Sequence, residues 1–300
     1  MTLLSLLAAA LGSWVSFTLN VTGRLEKQMR VYDAVAGGIR YASVLVRLDP
    51  TPTSDGPQED WAQMRDWASS LSGDVQVDVG PGMVDEARKL NLNSAPVDLL
   101  VRFFIGVGVE VEQARIIADS IADWRDEDDK EHSNGAEGFY YHALDAGYDC
   151  KNGPFESVEE LLFVRGMTPE IWQKAAPYLT AYGKGVVNLN TADRLVLQAL
   201  GITAPAVDVI LSYRVGEDDK PGTPDDRVFE SVDQMVLEID KLLPLEDRNR
   251  LSQLSADGVV GFRTETFSLS ITGVEGTEQS RMSVWCVLDR AGRILDWRER

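Results

Sequence analysis

The sequence predicts an α+β protein in which a long N-terminal helix and a small antiparallel sheet carry a large all-α insert. Three observations lead there. An apolar N-terminal run passes unbroken into an amphipathic one, strand-period alternation is confined to the two flanks, and the middle contains one helical segment written twice. The 300 residues suffice for two modest domains, and 44% apolar with 26% charged residues is ordinary globular composition. The expected division is an N-terminal helix over 1–48, a first β part over 49–89, a helical insert over 90–258 and closing strands over 259–300. Within the insert, repeat one covers 90–180 and repeat two 187–258.

Met1 to Gly23 contains no charged residue, and Leu3, Leu4, Leu6, Leu7, Leu11, Trp14, Val15 and Phe17 make it apolar. A helix needs about 20 such residues to cross a bilayer. From Arg24 to Leu48, apolar side chains recur every three or four positions, among them Leu25, Met29, Tyr32, Val35, Ala36, Ile39, Tyr41, Ala42 and Leu45. A cleavable secretory signal would want basic residues ahead of the apolar run, and none is present. A buried core helix and a membrane helix both stay open, and the uninterrupted passage into the amphipathic run favours the membrane helix.

The repeat organises the middle. Leu90-Asn-Leu-Asn-Ser-Ala-Pro96 is answered by Val187-Asn-Leu-Asn-Thr-Ala-Asp193, and Phe155-Glu-Ser-Val-Glu-Glu160 by Phe229-Glu-Ser-Val-Asp-Gln234. Each first block reads as an extended end entering a helix capped by Asn93-Ser94 or Asn190-Thr191, whose side-chain oxygens accept orphaned N–H groups. Ser157 followed by Glu160 has capping-box form. In repeat one, a turn at Gly106-Val107-Gly108 separates a helix with Leu99, Leu100, Phe103 and Phe104 from one running through Ala114, Ile117, Ala118 and Ile121 to Trp124. The pattern resembles helix-hairpin-helix modules, including those of competence-type DNA receptors, in which a Gly-rich hairpin offers N–H groups to a phosphate.

Charge argues against that use. With 48 acidic and 29 basic residues the chain carries −19, and phosphate binding depends on Lys and Arg. Glu110 and Glu112 follow the first hairpin, and Gly201-Ile202-Thr203-Ala204-Pro205 lacks the second glycine. No nucleic acid is expected as a partner. The carboxylates instead collect in two loops. The first holds Asp123, Asp126, Asp128 and Asp129, then Asn134-Gly135-Ala136-Glu137; the second holds Glu217-Asp218-Asp219 and Asp225-Asp226. A solvated acidic loop is the plain reading. Calcium, which takes six to eight oxygens, is the functional one, although the spacing is not that of an EF-hand.

Catalysis finds little support. His132 and His142 are the two histidines, no nucleophile elbow or phosphate loop is present, and neither Cys150 nor Cys286 has an evident His partner. A calcium-dependent hydrolase would need a cleft joining Asp126 or Asp128 to His132. The two cysteines match no zinc spacing and are expected as unpaired thiols.

Val75 to Val79 alternates as a half-buried strand does. So does Thr266 to Thr272, and after glycine-bearing turns come Met282, Val284 and a continuous Trp285-Cys286-Val287-Leu288, then Ile294 to Trp297. Three such strands read as an antiparallel meander.

Taken in order, several blocks resemble the K-type minor pseudopilin of type II secretion systems, also called general secretion pathway protein K. They are Asp85 to Pro96, Ile121-Ala-Asp-Trp-Arg-Asp126, Asn134-Gly-Ala-Glu137, Asn152-Gly-Pro-Phe-Glu-Ser-Val-Glu-Glu-Leu161 and Asn188-Leu-Asn-Thr-Ala192. The resemblance covers most of the chain from about Gly80 to Ala199, and the closing strands match in pattern only. It implies a pilin-like fold in which the N-terminal helix anchors in the bacterial inner membrane by a single pass, with the bulk of the chain in the periplasm. It further implies a non-enzymatic protein at the tip of the pseudopilus, in complex with the I-type and J-type minor pseudopilins. There the helical insert would cap the fibre and support export across the outer membrane. Calcium is carried over from the family to Asp123, Asp126, Asp128, Asp129 and Glu137 as ligands. The family's short basic leader ending in Gly is not visible, so further residues are expected upstream of Met1. A helix-hairpin-helix DNA-binding protein of the competence-receptor type is the alternative.

Overall fold

The computed structural model describes residues 2–51, 53–70, 73–239, 241–276 and 280–300; Met1, counted in the apolar run, lies outside them. Along the chain, α1 (Thr2–Arg47) and α2 (Met64–Ser70) precede β1 (Gln76–Asp78), β2 (Met83–Asp85) and β3 (Leu90–Asn91). Then come α3 (Val97–Val107), α4 (Val111–Arg125), α5 (Gly138–His142), α6 (Pro169–Ala175), β4 (Leu179–Thr180) and β5 (Val187–Asn188). They are followed by α7 (Arg194–Ala199), α8 (Ala204–Arg214), α9 (Val232–Ile239), α10 (Leu245–Ala256) and β6 (Val260–Gly261). The chain closes with β7 (Thr266–Val274), β8 (Arg281–Asp289) and β9 (Ile294–Glu299). The fold is α+β and divides into two compact units. One gathers residues 1–49, 60–84 and 267–300, the other residues 50–59 and 85–266.

The first unit is built on α1. Val31, Val35, Ile39, Ala42 and Val46 are buried, at spacings of three or four that place them on one helical stripe. Fully burying such side chains stabilises by roughly 1.5–3 kcal/mol each. Leu25, Met29 and Tyr32, expected on that stripe, are instead exposed, because the buried stripe runs through Val31 rather than Tyr32. The sheet has the order β1-β7-β8-β9 with β2 also on β7, and both β1/β7 and β8/β9 are antiparallel. The helix comes close to the sheet at Gly38, where a Cβ would lie 2.3 Å from Ile271 Cδ1. Upstream, Leu4, Leu7, Leu11, Trp14 and Phe17 are all more than 60% exposed, and α1 is long and apolar enough to cross a membrane. That is consistent with single-pass anchoring.

The second unit is the duplicated one. Helices α3 and α4 form the first hairpin and α7 and α8 the second, around one core that includes Phe103, Ile117, Trp124, Leu197, Ile210 and Phe229. Asn93 Nδ2 donates to Phe155 O (3.0 Å) and Asn93 Oδ1 accepts Phe155 N–H (2.7 Å). Asn190 repeats this with Phe229 at 2.9 Å in both directions. Arg125 donates to Leu92 O and, at 2.8 Å, to Ala95 O; Arg214 donates to Leu189 O and Ala192 O.

Two local expectations are corrected. Asn93-Ser94 and Asn190-Thr191 do not cap helices: α3 starts behind Pro96 and α7 behind Asp193, neither with a side-chain cap. The asparagines are spent on the distant Phe-Glu-Ser blocks, a demand that short-range rules cannot see. Gly106 belongs to α3 and not to the turn; its missing side chain admits Leu195 of α7, whose Cδ1 would stand 2.6 Å from a Cβ there. Gly108, at φ 96°, makes the turn alone.

A candidate cation site at the end of the first hairpin

Helix α4 carries Asp119 and Asp123 one turn apart, and both are buried in its last stretch. Arg125, the last residue of α4, donates to the carbonyls of Leu92 and Ala95, and the loop starts at Asp126, whose backbone is extended. The loop returns at Asn134, whose N–H and side-chain amide both donate to Asp119 Oδ2 at 2.9 Å. That docking brings Gly135 against Asp123: a Cβ on Gly135 would lie 1.8 Å from Asp123 Oδ2. Arg165 secures the return by donating to Gly135 O at 2.7 Å, and Glu137 follows, buried, at the start of α5.

The predicted carboxylates do not all converge. Asp126, Asp128 and Glu137 each bring a ligand oxygen within 4.8 Å of the others, and Asp123, Asp126 and His132 make a second such group. Asp129 is in neither: its Oδ1 accepts from Asn152 Nδ2 at 2.9 Å. Asp128 Oδ1 accepts Lys130 N–H at 2.8 Å, which turns the loop. Asp123 Oδ2 and Asp126 Oδ1 are buried with no hydrogen-bond partner among the described residues, and the two buried oxygens of Glu137 have only the weak donor of the Cys150 thiol beside them. A buried anionic oxygen without a donor is costly, and a cation bound there would satisfy it.

Protonation follows from this crowding. Burial, then the charges of Asp123 and Asp126, push Glu137 up to about 7. Burial also raises Asp126, with help from Asp128 and Asp123. The hydrogen bond to Asp123 raises His132. The neighbouring Cys150 thiol is pushed up to about 12 by burial and by Glu137, so it is a poor nucleophile at neutral pH. Both cysteines are free.

Sequence reading missed Asp119, Arg165 and the packing role of Gly135. Asp119 could have been found from its i, i+4 relation to Asp123 on a face leading into an acidic loop. Arg165, 30 residues from Gly135 in sequence, left no local signal.

The second acidic loop meets more of its carboxylate oxygens from within, although Asp226 Oδ1 is buried without a partner among the described residues and burial raises Asp226. Asp225 Oδ2 accepts Glu217 N–H (2.7 Å) and Asp218 N–H (3.2 Å), its Oδ1 accepts Thr223 Oγ1 (2.7 Å), and Asp226 Oδ2 accepts Gly222 N–H (2.6 Å). The Thr223 hydroxyl and the Glu217 N–H hold Asp225 below the usual carboxylate range. Gly216, at φ 65°, leaves room for this, since a Cβ there would stand 2.4 Å from Asp225.

Comparison with known proteins bears out the resemblance read from the sequence. Residues 82–184 match the family model "Type II secretion system (T2SS), protein K". Type II secretion system protein K of Klebsiella pneumoniae is 27% identical over 182 residues, 54% of this chain and 55% of that protein. The protein K of Aeromonas hydrophila is 38% identical over 86 residues, 28% of this chain and 26% of that protein. The chain thus spans about half or less of the length of these curated relatives. A chain in the crystal structure of the GspK-GspI-GspJ complex from the enterotoxigenic Escherichia coli type 2 secretion system shares the fold at TM-score 0.69 and 18% identity, with 94% of this chain and 99% of that chain covered.

Proposed function

We propose that this chain is a K-type minor pseudopilin, a structural and non-catalytic component of a type II secretion pseudopilus. The observation that carries this is the division of labour along α1. Its first half presents apolar side chains to the surroundings, while its second half buries a stripe in a small antiparallel unit that also carries a helical insert. An apolar half-helix without a covering suits a bilayer before assembly and neighbouring helices after it. In this reading the chain is anchored in the inner membrane, its bulk lies in the periplasm, and its partners are the I- and J-type minor pseudopilins. The helical unit sits at the tip, caps the fibre and supports export across the outer membrane. Co-expression with the I- and J-type proteins tests this: a stable ternary complex is expected, and a chain that stays alone with both partners present would overturn it.

The same reading includes calcium. The fit rests on the buried, under-donated oxygens of Asp123, Asp126 and Glu137 and on the missing side chain of Gly135, whose Cβ would strike Asp123. Asp126, Asp128 and Glu137 would hold the ion with Asp123 behind them, and Asp129 would serve the loop through Asn152. The bound ion would neutralise carboxylates that otherwise repel. Its role would be to fix the loop between α4 and α5.

The DNA-receptor alternative is disfavoured by one contact. At the second hairpin the N–H and Oγ1 of Thr203, which precede α8, both donate to the buried carboxylate of Asp247 at 2.8 Å. The place a phosphate would take at that helix start is filled from within the chain. No retention on duplex DNA at moderate salt is expected.

A further inference from the structure

The two halves of the duplicated unit meet at a cleft that neither acidic loop lines. It measures about 260 Å3 and lies where β4 leads into β5, opposite the residues that follow β6 and over the turn that follows β2. In a chain carrying −19, its lining has three cations, Lys89, Lys184 and Arg263, against two carboxylates, Glu86 and Glu265. Both carboxylates are engaged from within. Glu86 Oε1 accepts Lys89 Nζ at 2.6 Å and its Oε2 accepts the Thr180 hydroxyl at 2.5 Å, while Glu265 lies 3.5 Å from Arg263 Nε. One positive charge is left in excess. We propose that this cleft binds a carboxylate on a short stem, with Lys89 at its floor and Lys184 and Arg263 at its mouth.

The Lys89 side chain is only 17% exposed. Glu86 takes one of its three ammonium hydrogens, and the described residues supply no acceptor for the other two. A mostly buried ammonium with donors to spare calls for an anionic oxygen. The connection from β4 to β5 adds main-chain donors. Gly183 and Gly185 have φ of 84° and 80°, and Lys184 between them has a negative φ. That alternation of sign is what turns successive N–H groups into one anion-binding concavity. The N–H groups of Gly183, Lys184 and Gly185 have no acceptor among the described residues. Glycine is required at 185, where a Cβ would lie 1.7 Å from Ser94 Oγ. A carboxylate, with one charge, balances the local excess, whereas a phosphate dianion beside Glu86 would exceed it. The volume falls below the roughly 300–1,000 Å3 of pockets for larger ligands, which limits the stem to a short one. A free small acid and the C-terminus of a peptide chain present this same chemistry. The proposal is independent of the calcium and pseudopilus readings.

The test is an NMR titration of the full chain in detergent, with glycine and lysine amides isotopically labelled. The probes are acetyl-dialanine as the free acid, its C-terminal amide, acetate and inorganic phosphate. Saturable shifts of the Gly183, Lys184 and Gly185 amides are expected with the free acid and not with its amide, and the affinity should fall as salt rises. Tighter binding of acetyl-dialanine than of acetate would identify a chain end as the ligand, and equal binding a free small acid. Lys184→Ala combined with Arg263→Ala, both at exposed positions, should weaken binding by about ten-fold with Tm unchanged. Lys89→Met should weaken it further; because it strands the buried Glu86, the double variant carries the test if this one does not fold. Equal shifts with the acid and its amide, no saturable shift at the three amides, tighter binding of phosphate than of either carboxylate, or unaltered binding in the double variant would overturn the proposal.

Discussion

The two helical modules share a scaffold and part company in their loops. In both, an asparagine grips a distant phenylalanine backbone and an arginine at the end of the second hairpin helix ties down two carbonyls. Both loops also turn on an aspartate that accepts the N–H two residues ahead, Asp128 to Lys130 and Asp218 to Lys220. Beyond that point the second loop answers both oxygens of Asp225 and one of Asp226 with its own N–H and O–H groups, and leaves Asp226 Oδ1 buried without a partner among the described residues. The first loop answers Asp119 in that way through Asn134, and leaves oxygens of Asp123, Asp126 and Glu137 without donors. A duplicated hairpin therefore shows two solutions to one electrostatic problem. One meets most of its carboxylate oxygens from within, and the other leaves oxygens of three carboxylates without hydrogen-bond donors among the described residues. Net charge is the same sign in both and does not distinguish them.

Five substitutions and a pH series would sharpen or break this contrast. The largest effect is expected in the shared scaffold. Arg214→Ala leaves two carbonyls of Leu189 and Ala192 without a donor and should cost about 3 kcal/mol by urea denaturation. Arg125→Ala should cost a similar amount, with the first loop loosened as well. Next comes Gly135→Ala, which pushes a Cβ into Asp123 Oδ2 and should remove the stabilisation by calcium. On the calcium proposal that stabilisation would be about 2.7 kcal/mol with the free ion a hundred-fold above its Kd. Gly216→Ala, strained at positive φ and crowded by Asp225, should cost about 1–2 kcal/mol with and without calcium alike. If both glycine variants respond to calcium in the same way, the two loops are not distinct.

The third contrast is in pH. Glu137 titrates higher in the folded chain than in the unfolded one, so between about 4.5 and 7 the folded state binds more protons and stability falls as pH rises. Calcium should cancel that fall. Asp225 has the opposite sign: its contribution is present above its unfolded value and is lost as pH drops into the acid range below it. Thermal melts across pH with chelator and with calcium, together with carboxyl-resolved NMR titration, would separate the two. The smallest effect is expected for Asp225→Asn, which keeps one acceptor oxygen at an exposed site. It should shift Tm by little and leave calcium binding unchanged.

Much of the fold was legible in the chain. The apolar start, the strand alternation from Thr266 onward and the repeated Asn-Leu-Asn blocks each carry a period or a motif that a reader can count. Boundaries followed closely: β7, β8 and β9 run over Thr266–Val274, Arg281–Asp289 and Ile294–Glu299. The errors came where a residue serves a distant partner. The asparagines read as caps are latches to Phe155 and Phe229, and Gly106, read as a turn, is a contact point for Leu195. The acidic loop was visible, but its internal ranking was not. Asp123 and Glu137 are buried while Asp129 is held at the surface by Asn152, and the return of the loop through Asn134, Gly135 and Arg165 decides which is which.

By itself, the sequence determined the element order, the duplication, the sign of the charge and the stretch of α1 able to meet a membrane. These follow from local periodicity and composition, which act over a few residues. The tertiary structure decided which carboxylates lose their water. Desolvation depends on packing from Gly135 and Arg165, and on whether a backbone N–H happens to lie within reach. Two loops of like composition thus came to differ, one meeting all but one of its buried carboxylate oxygens with its own hydrogen bonds and one gathering oxygens of Asp126, Asp128 and Glu137 within 4.8 Å of one another.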